Sequence, residues 1–282
     1  MEFITLNNGT KCPLAGIGTF MMQPQEAEDA TFNALTNGYR MVDTANAYMN
    51  EKAVGRGIKR SGLPREEVYL VTKLWPSVYA DADNAVDATL KRLDTDYIDL
   101  LYLHQPAGDY IDAYKAMERA VKDGKVRSLG LSNFPQEKIQ EVIDACEIKP
   151  AFLQVEAHPY YPQTELKKFL APYGTAVMAW YPLGHGDKNL VNEPIFTELG
   201  KKYGKSNAQI ILRWHTQVGN VVIPGSKNVD HIRDNINIFD FTLTEEELAE
   251  IAKLDKNTPY YVATEEALAG YLAFAPDFDA QP

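Results

Sequence analysis

The chain has 282 residues, with 39 Asp and Glu against 28 Lys and Arg, a formal net charge of −11. Such a balance argues against non-specific binding of a phosphate backbone, which needs a concentrated positive surface. The length suits two average domains or one large α/β barrel.

The N-terminal stretch has no apolar run suited to a signal peptide, and no segment approaches the roughly 18 apolar residues of a membrane span, so a soluble chain is expected. Cys12 and Cys146 lie far apart and in no CxxC arrangement. Neither a disulfide framework nor a thiolate zinc site is indicated, and a reducing cytoplasm fits. Phe3-Ile4-Thr5-Leu6, Asn7-Asn8-Gly9 and Thr10-Lys11-Cys12 read as a hairpin, because Asn-Gly supplies the positive φ angles of a tight turn.

From Ala15 onward, short apolar runs rich in β-formers alternate with amphipathic helical segments, the pattern of a parallel sheet built from βα units. Eight strands are predicted, near Ala15–Ile17, Met41–Asp43, Tyr69–Thr72, Ile98–Leu103, Ser128–Leu131, Phe152–Val155, Ala176–Ala179 and Val221–Ile223. The first and fifth are short. Val86, Leu90 and Leu93 recur at helical spacing, as do Ile111, Tyr114, Met117 and Val121, and Ile139, Val142, Ile143 and Cys146. Thr244 and Glu247 form a capping box for a further helix outside the eight units. No linker or change of composition divides the chain, so residues 1–282 are expected to form one TIM (β/α)8 barrel with an N-terminal hairpin, an extra C-terminal helix and a C-terminal tail near the active face.

Three successive strands end on ionisable residues: Asp43 after Met41-Val42, Lys73 after Thr72, and His104 after Leu103; Tyr48 follows Asp43 by five residues. In a barrel these strand ends converge on one face. Each alone has a bland reading, Asp43 as a turn cap, Tyr48 as a core aromatic, Lys73 as a solvated strand end and His104 as a satisfied core histidine; together they favour a shared site. A phenol with an ordinary pKa near 10 is a poor acid at neutral pH unless an ammonium such as Lys73 lowers it. Asp43 can serve as the counter-ion of Lys73, and His104 can orient a carbonyl oxygen and stabilise the alkoxide forming on it. This set suits donation of a proton to a carbonyl that receives a hydride, and side chains cannot deliver hydride, so a nicotinamide or flavin is needed. Gly184-His185-Gly186 lacks the third glycine and the helix of a Rossmann fingerprint. Barrels commonly bind phosphate after strands seven and eight, which points to Ile223, Pro224, Gly225, Ser226, Lys227 and Asn228, ahead of a helix through His231, as a nucleotide grip.

Taken together, Gly38–Glu51 (GYRMVDTANAYMNE), VTKLW around Lys73 and LLYLHQP around His104 resemble the aldo-keto reductase family, and the resemblance covers nearly the whole chain. Within the family the chain resembles small bacterial members such as 2,5-diketogluconate and methylglyoxal reductases. The resemblance implies Tyr48 as proton donor, Lys73 and Asp43 as its tuners and His104 as orienter of the substrate. It further implies that Ser132, Asn133 and Gln154 hold the nicotinamide carboxamide and that Trp180 stacks on the ring. Thr19, Tyr181, Pro182, Leu183 and Asn235 complete the implied cofactor contacts. Where the family usually has Lys and Arg for the extra phosphate of NADP, this chain has Gly225 and His231. NADP(H) remains the favoured cofactor, with Lys227 and Arg233 as substitutes, and the two replacements also admit NAD(H). The short connection after His104 implies an open pocket walled by Phe20, Met49, Trp75 and Trp180, with the tail from Tyr260 and Tyr261 through Tyr271, Phe274 and Phe278 closing over it. Small aldehydes and activated ketones are the expected substrates, and the family is often monomeric.

Two other classes compete. A metal-dependent barrel hydrolase would need clustered ligands, yet the five His residues show no HxH or HExxH spacing, and no metal is expected. A non-enzymatic redox-sensing module, like the channel subunits of this fold, should carry an extra basic or apolar docking segment, and none is visible.

Overall fold

The computed structural model describes residues 1–282. Strands β1 (Phe3–Thr5) and β2 (Lys11–Pro13) pair antiparallel. The turn between them uses Gly9 at φ +84°. Eight strands then pair in parallel in chain order: β3 (Ile17–Gly18), β4 (Met41–Asp43), β5 (Tyr69–Leu74), β6 (Ile98–Leu103), β7 (Val126–Ser132), β8 (Phe152–Glu156), β9 (Ala176–Trp180) and β10 (Asn220–Val222). The sheet curls, and a parallel bridge between Ala15 and Val222 links its two edges, with Gly16 N–H donating to Val222 O at 2.9 Å. With helices between the strands this is a TIM-like arrangement.

The helices are α1 (Pro24–Thr36), α2 (Glu51–Ser61), α3 (Ala82–Leu93), α4 (Tyr110–Lys122), α5 (Gln136–Ala145) and α6 (Thr164–Leu170). They continue with α7 (Lys188–Val191), α8 (Pro194–Tyr203), α9 (Asn207–Gln217), α10 (Val229–Ile236), α11 (Glu245–Ala252) and α12 (Glu265–Ala273). The three helical periodicities read from sequence fall on α3, α4 and α5, and the Thr244–Glu247 capping box opens α11. Two strands depart from expectation. The fifth of the parallel set, β7, was expected to be short but is the longest, because Val126 and Arg127 extend it; Arg127 lies outward and binds Asp99 at 3.0 Å. The first, β3, is two residues long, and Ala15 contributes the edge bridge instead. Helix α12 within the tail was not anticipated; Thr264 caps it by accepting from Ala267 N–H.

Two-residue alternation organises the packing. Val42, Leu70, Leu101, Leu103, Leu129, Leu131, Leu153 and Val155 join the large core between sheet and helices. The residues between them, Met41, Tyr69, Val71, Leu100, Tyr102, Phe152, Met178 and Val221, fill the inside of the curl, which Leu6, Cys12 and Leu14 of the hairpin region close at the N-terminal end. At Gly130 a Cβ would stand 2.4 Å from the Tyr102 ring, so the absent side chain makes room for that ring.

Candidate active site

Continuing the inward series by one step in each strand brings the ionisable residues together. Met41 leads to Asp43, Val71 to Lys73, Tyr102 to His104, Gly130 to Ser132, Phe152 to Gln154 and Met178 to Trp180, all at the C-terminal end of the sheet. Asp43 and Lys73 are buried, 2% and 0% exposed, and Lys73 Nζ donates to Asp43 Oδ1 at 2.5 Å and to Thr44 O at 2.9 Å. Gln154 Nε2 donates to Asp43 Oδ2 at 2.8 Å. Burial lowers the Lys73 ammonium and raises the Asp43 carboxyl from their ordinary values, and their mutual attraction opposes both shifts.

Tyr48 closes a short 3-10 turn, Asn46–Tyr48, and is half-buried. Its ring lies 5.1 Å from Phe20 and 5.5 Å from His104 between centroids, with Lys73 Nζ 5.0 Å from the ring centre. The phenol is pushed well above its ordinary value by burial, with the Asp43 carboxylate and Tyr181 adding to the shift. The bonds of Lys73 go to Asp43 and Thr44. An ammonium has three donors and these bonds use two.

His104 N–H donates to Leu74 O at 3.0 Å, and its ring packs edge-on against Trp75 at 4.9 Å. Nδ1 is buried without a partner. Burial, and then the Lys73 charge, hold this imidazole well below its ordinary value, so it is neutral and keeps one N–H to donate.

Asn133, in the left-handed region at φ 62°, takes Trp180 Nε1–H on its Oδ1 at 2.9 Å, while its own N–H donates to Gln154 O at 3.0 Å. Ser132 is buried beside it. Trp180 also meets Tyr181 and Tyr261 edge-on, at 4.6 and 5.7 Å. Pro182 and Leu183 follow, with Pro182 O bonded to His215 Nε2 at 3.0 Å. Thr19 donates its N–H and hydroxyl to Asp43 O, at 3.0 and 3.1 Å. Ile223 and Pro224 are buried, whereas Gly225, Lys227, Asn228 and His231 are exposed and Ser226 is half-buried; Asn235 is buried in α10. This second group adjoins the first: a Cβ on Gly225 would be 3.0 Å from Gly18 O.

Of the expected walls, Phe20 and Trp75 join the aromatic cluster around Tyr48 and His104, Trp180 packs on Tyr181 and Tyr261, and Met49 follows Tyr48 in the left-handed region. Tyr271 and Phe274 pack on Trp75 at 5.2 and 5.9 Å, and Trp75 Nε1–H donates to Tyr271 O at 2.8 Å. Phe278 is buried, and its carbonyl accepts from Gln281, whose side chain in turn takes Lys52 N–H in α2. That end of the tail is therefore moored on a helix. A groove of about 910 Å³ adjoins the cluster, lined by Asn133, Glu156, Trp180 and Tyr261 among others.

Several supporting residues went unread in the sequence. Asn46 Oδ1 accepts from Trp75 N–H at 3.0 Å. Asn50 Nδ2 bonds Thr19 O and Met22 O, both at 3.0 Å, and so holds the loop carrying Phe20. Glu156, one inward step beyond Gln154, accepts the N–H groups of Tyr260 and Tyr261 at 2.6 and 2.9 Å, with His158 Nε2 2.9 Å away. Its alternation with Phe152 and Gln154 was the available signal. No group of three or more His, Cys, Asp or Glu is arranged to hold a metal ion, and no helix is long and apolar enough to cross a membrane.

The depressed imidazoles carry a stability prediction. His104 and His215, the latter brought to about 3 chiefly by burial, are neutral in the fold and take up protons on unfolding below about pH 6.5. The unfolded chain then binds more protons, so stability is full above that pH and falls as the pH drops, by up to about 1.4 kcal/mol per unit per group. Urea unfolding at about pH 5.5 should show a proton uptake that His215→Gln lowers by about one. An unchanged uptake would mean that the imidazole is already charged in the native state.

Residues 14–256 match the Aldo/keto reductase family. An aldo-keto reductase of Mycobacterium sp. (strain KMS) is 44% identical over 257 residues, covering 89% of this chain and 92% of the relative. The glyoxal reductase of Bacillus subtilis (strain 168) is 40% identical, covering 91% and 94%. The structure of a Bombyx mori aldo-keto reductase in complex with NADP superposes with a TM-score of 0.86 at 34% identity, covering 91% of this chain and 94% of that one. The chain belongs to the aldo/keto reductase family. It is thereby an oxidoreductase of a family that works on small carbonyl compounds with nicotinamide cofactors.

Proposed function

We propose that residues 1–282 form a single closed (β/α)8 domain that reduces small aldehydes and activated ketones to alcohols with a nicotinamide dinucleotide. The observation that carries this reading is the convergence of Asp43, Lys73 and His104, from three consecutive strand ends, around the ring of Tyr48. The residues fit the cofactor. Asn133 and Gln154 offer amide groups beside the buried hydroxyl of Ser132, as a carboxamide requires, and the half-exposed indole of Trp180 offers a flat apolar face. Tyr181, Pro182 and Leu183 continue this wall. Thr19, Ile223 to Asn228, His231 and Asn235 would hold the nucleotide end. When bound, the nicotinamide supplies the hydride.

The protein's part is to place the carbonyl and deliver the proton. His104, neutral, donates an N–H to the carbonyl oxygen and stabilises the charge that develops there. Tyr48 gives its hydroxyl proton to the same oxygen. As that proton leaves, the third N–H of Lys73 is available to the phenolate, and Asp43 keeps the ammonium charged and aimed. Phe20, Trp75 and Trp180, with Met49 beside Tyr48, exclude water and favour small or aromatic carbonyl substrates. A cytoplasmic monomer completes the reading. Both thiols are buried and unpaired, as suits a reducing compartment, and one chain supplies every side chain of the site.

Purified protein incubated with methylglyoxal, a diketo-sugar acid or an aromatic aldehyde should oxidise NADPH or NADH. Absence of turnover with all three, despite tight cofactor binding, would overturn the reductase reading in favour of a sensing module.

A further inference from the structure

We propose that Glu26 selects between the two nicotinamide dinucleotides by holding Lys227, leaving the adenosine end of the site matched to a ribose without a 2′-phosphate. The inference rests on the nicotinamide reading above. Glu26 lies in the first turn of α1, where Gln23 N–H donates to its Oε2 at 2.8 Å, and Lys227 Nζ approaches the same oxygen at 2.6 Å. The bridge ties α1 to the turn that follows β10. Lys227 is thus paired with a carboxylate whose orientation the helix end fixes.

Apart from the exposed His231 ring, the other groups on which a phosphate could draw are also engaged. Arg233 pairs with Asp230 at 3.4 Å and donates to Asn37 Oδ1 at 3.1 Å. The first N–H groups of α10 are capped from within, since Asn228 Oδ1 accepts from Asp230 at 2.8 Å and from His231 at 3.4 Å. Ser226 Oγ accepts from Asn228 N–H at 3.1 Å. Gly225 contributes no side chain.

A phosphate monoester carries a charge of about −1.5 to −2 at neutral pH. It would meet one cation already neutralised by Glu26 and a second already neutralised by Asp230, with the Glu26 charge beside it. A ribose hydroxyl carries no such charge and is a good donor to a carboxylate, the general basis on which an acidic residue favours the unphosphorylated dinucleotide. The sequence expectation that Lys227 and Arg233 stand in for the missing Lys and Arg therefore weakens on their pairing, and NADH becomes the preferred cofactor.

The test is the dissociation constant of each dinucleotide for the full chain, followed by quenching of tryptophan fluorescence without substrate. Wild type should bind NADH more tightly than NADPH. The bridge is solvent-exposed, so the effect of opening it is bounded by what exposed ion pairs contribute. Glu26→Gln should move the ratio of the two dissociation constants by about fivefold towards NADPH. Lys227→Met added to Glu26→Gln should erase the gain, which assigns it to the freed ammonium rather than to a general loosening. Thermal melts of each variant show whether the fold is retained. A NADPH/NADH ratio unmoved by Glu26→Gln, or a wild type that binds NADPH about tenfold more tightly, overturns the inference and leaves the reductase standing. Binding of neither dinucleotide overturns the nicotinamide reading itself.

Discussion

Tyr48→Phe is expected to lower kcat by at least about a hundredfold, the scale of one general-acid contribution, while cofactor affinity stays within about twofold. The substitution removes one oxygen and keeps the ring. The packing of that ring against Phe20 and His104, and the Lys73 charge 5.0 Å from its centre, do not require the hydroxyl. A folded variant with an intact pocket and no proton donor is the expected product. Single-turnover rates with saturating cofactor would separate this from slow product release. A near-normal rate would move the proton donor elsewhere, with His104 the nearest alternative.

Lys73→Met should act on stability as well as on rate. Lys73 is fully buried and Asp43 nearly so, and removing the ammonium leaves the carboxylate with Gln154 as its one remaining side-chain donor. Taking away one partner of a buried pair costs about 3–5 kcal/mol, whereas replacing both with uncharged groups of similar volume is often close to neutral. The urea midpoint of Lys73→Met should therefore fall steeply, and that of Lys73→Met with Asp43→Asn should recover most of the loss. Turnover should recover in neither. A loss below about 1 kcal/mol in the single variant would show that water or a proton reaches Asp43 at little cost, contrary to its burial.

What was legible in the sequence was whatever repeats. Successive strand ends brought out Asp43, Lys73 and His104, and the family resemblance added Ser132, Gln154 and Trp180; all six continue the inward series of the sheet. The helical faces through Ile139 and Val86 were equally plain. What stayed hidden depends on partners far along the chain. Glu156 looks like one more charge near a strand end until Tyr260 and Tyr261 arrive 104 and 105 residues later to occupy it. Asn46 and Asn50 resemble ordinary turn residues, and their bonds to Trp75, Thr19 and Met22 are tertiary. The length of β7 was masked because Arg127 is outward and polar, and Ser128 is inward but satisfied by Asn8 of the hairpin at 2.9 Å. The tuning of Tyr48 by Lys73 was inferred from residue types, whereas the bonds of Lys73 in the resting site run to Asp43 and Thr44.

The segment after residue 256 lies beyond the stretch that matches the family, yet it is moored at both ends. Glu156 grips Tyr260 and Tyr261 at one end, and Lys52, Arg56 and Arg92 hold Asp279, Gln281 and Pro282 at the other. Between these moorings α12 buries none of its residues and packs on Trp75 through Tyr271, with Phe274 just beyond it. Substitutions along this span disturb little of the interior, so they carry small folding penalties. The chain thus keeps Asp43 and Lys73 in the most constrained layer of the molecule and the segment over Trp75 in the least. Under the reading proposed above, such a division would let substitutions over the pocket alter which carbonyl compounds are accepted at little cost to the layer that holds Asp43 and Lys73.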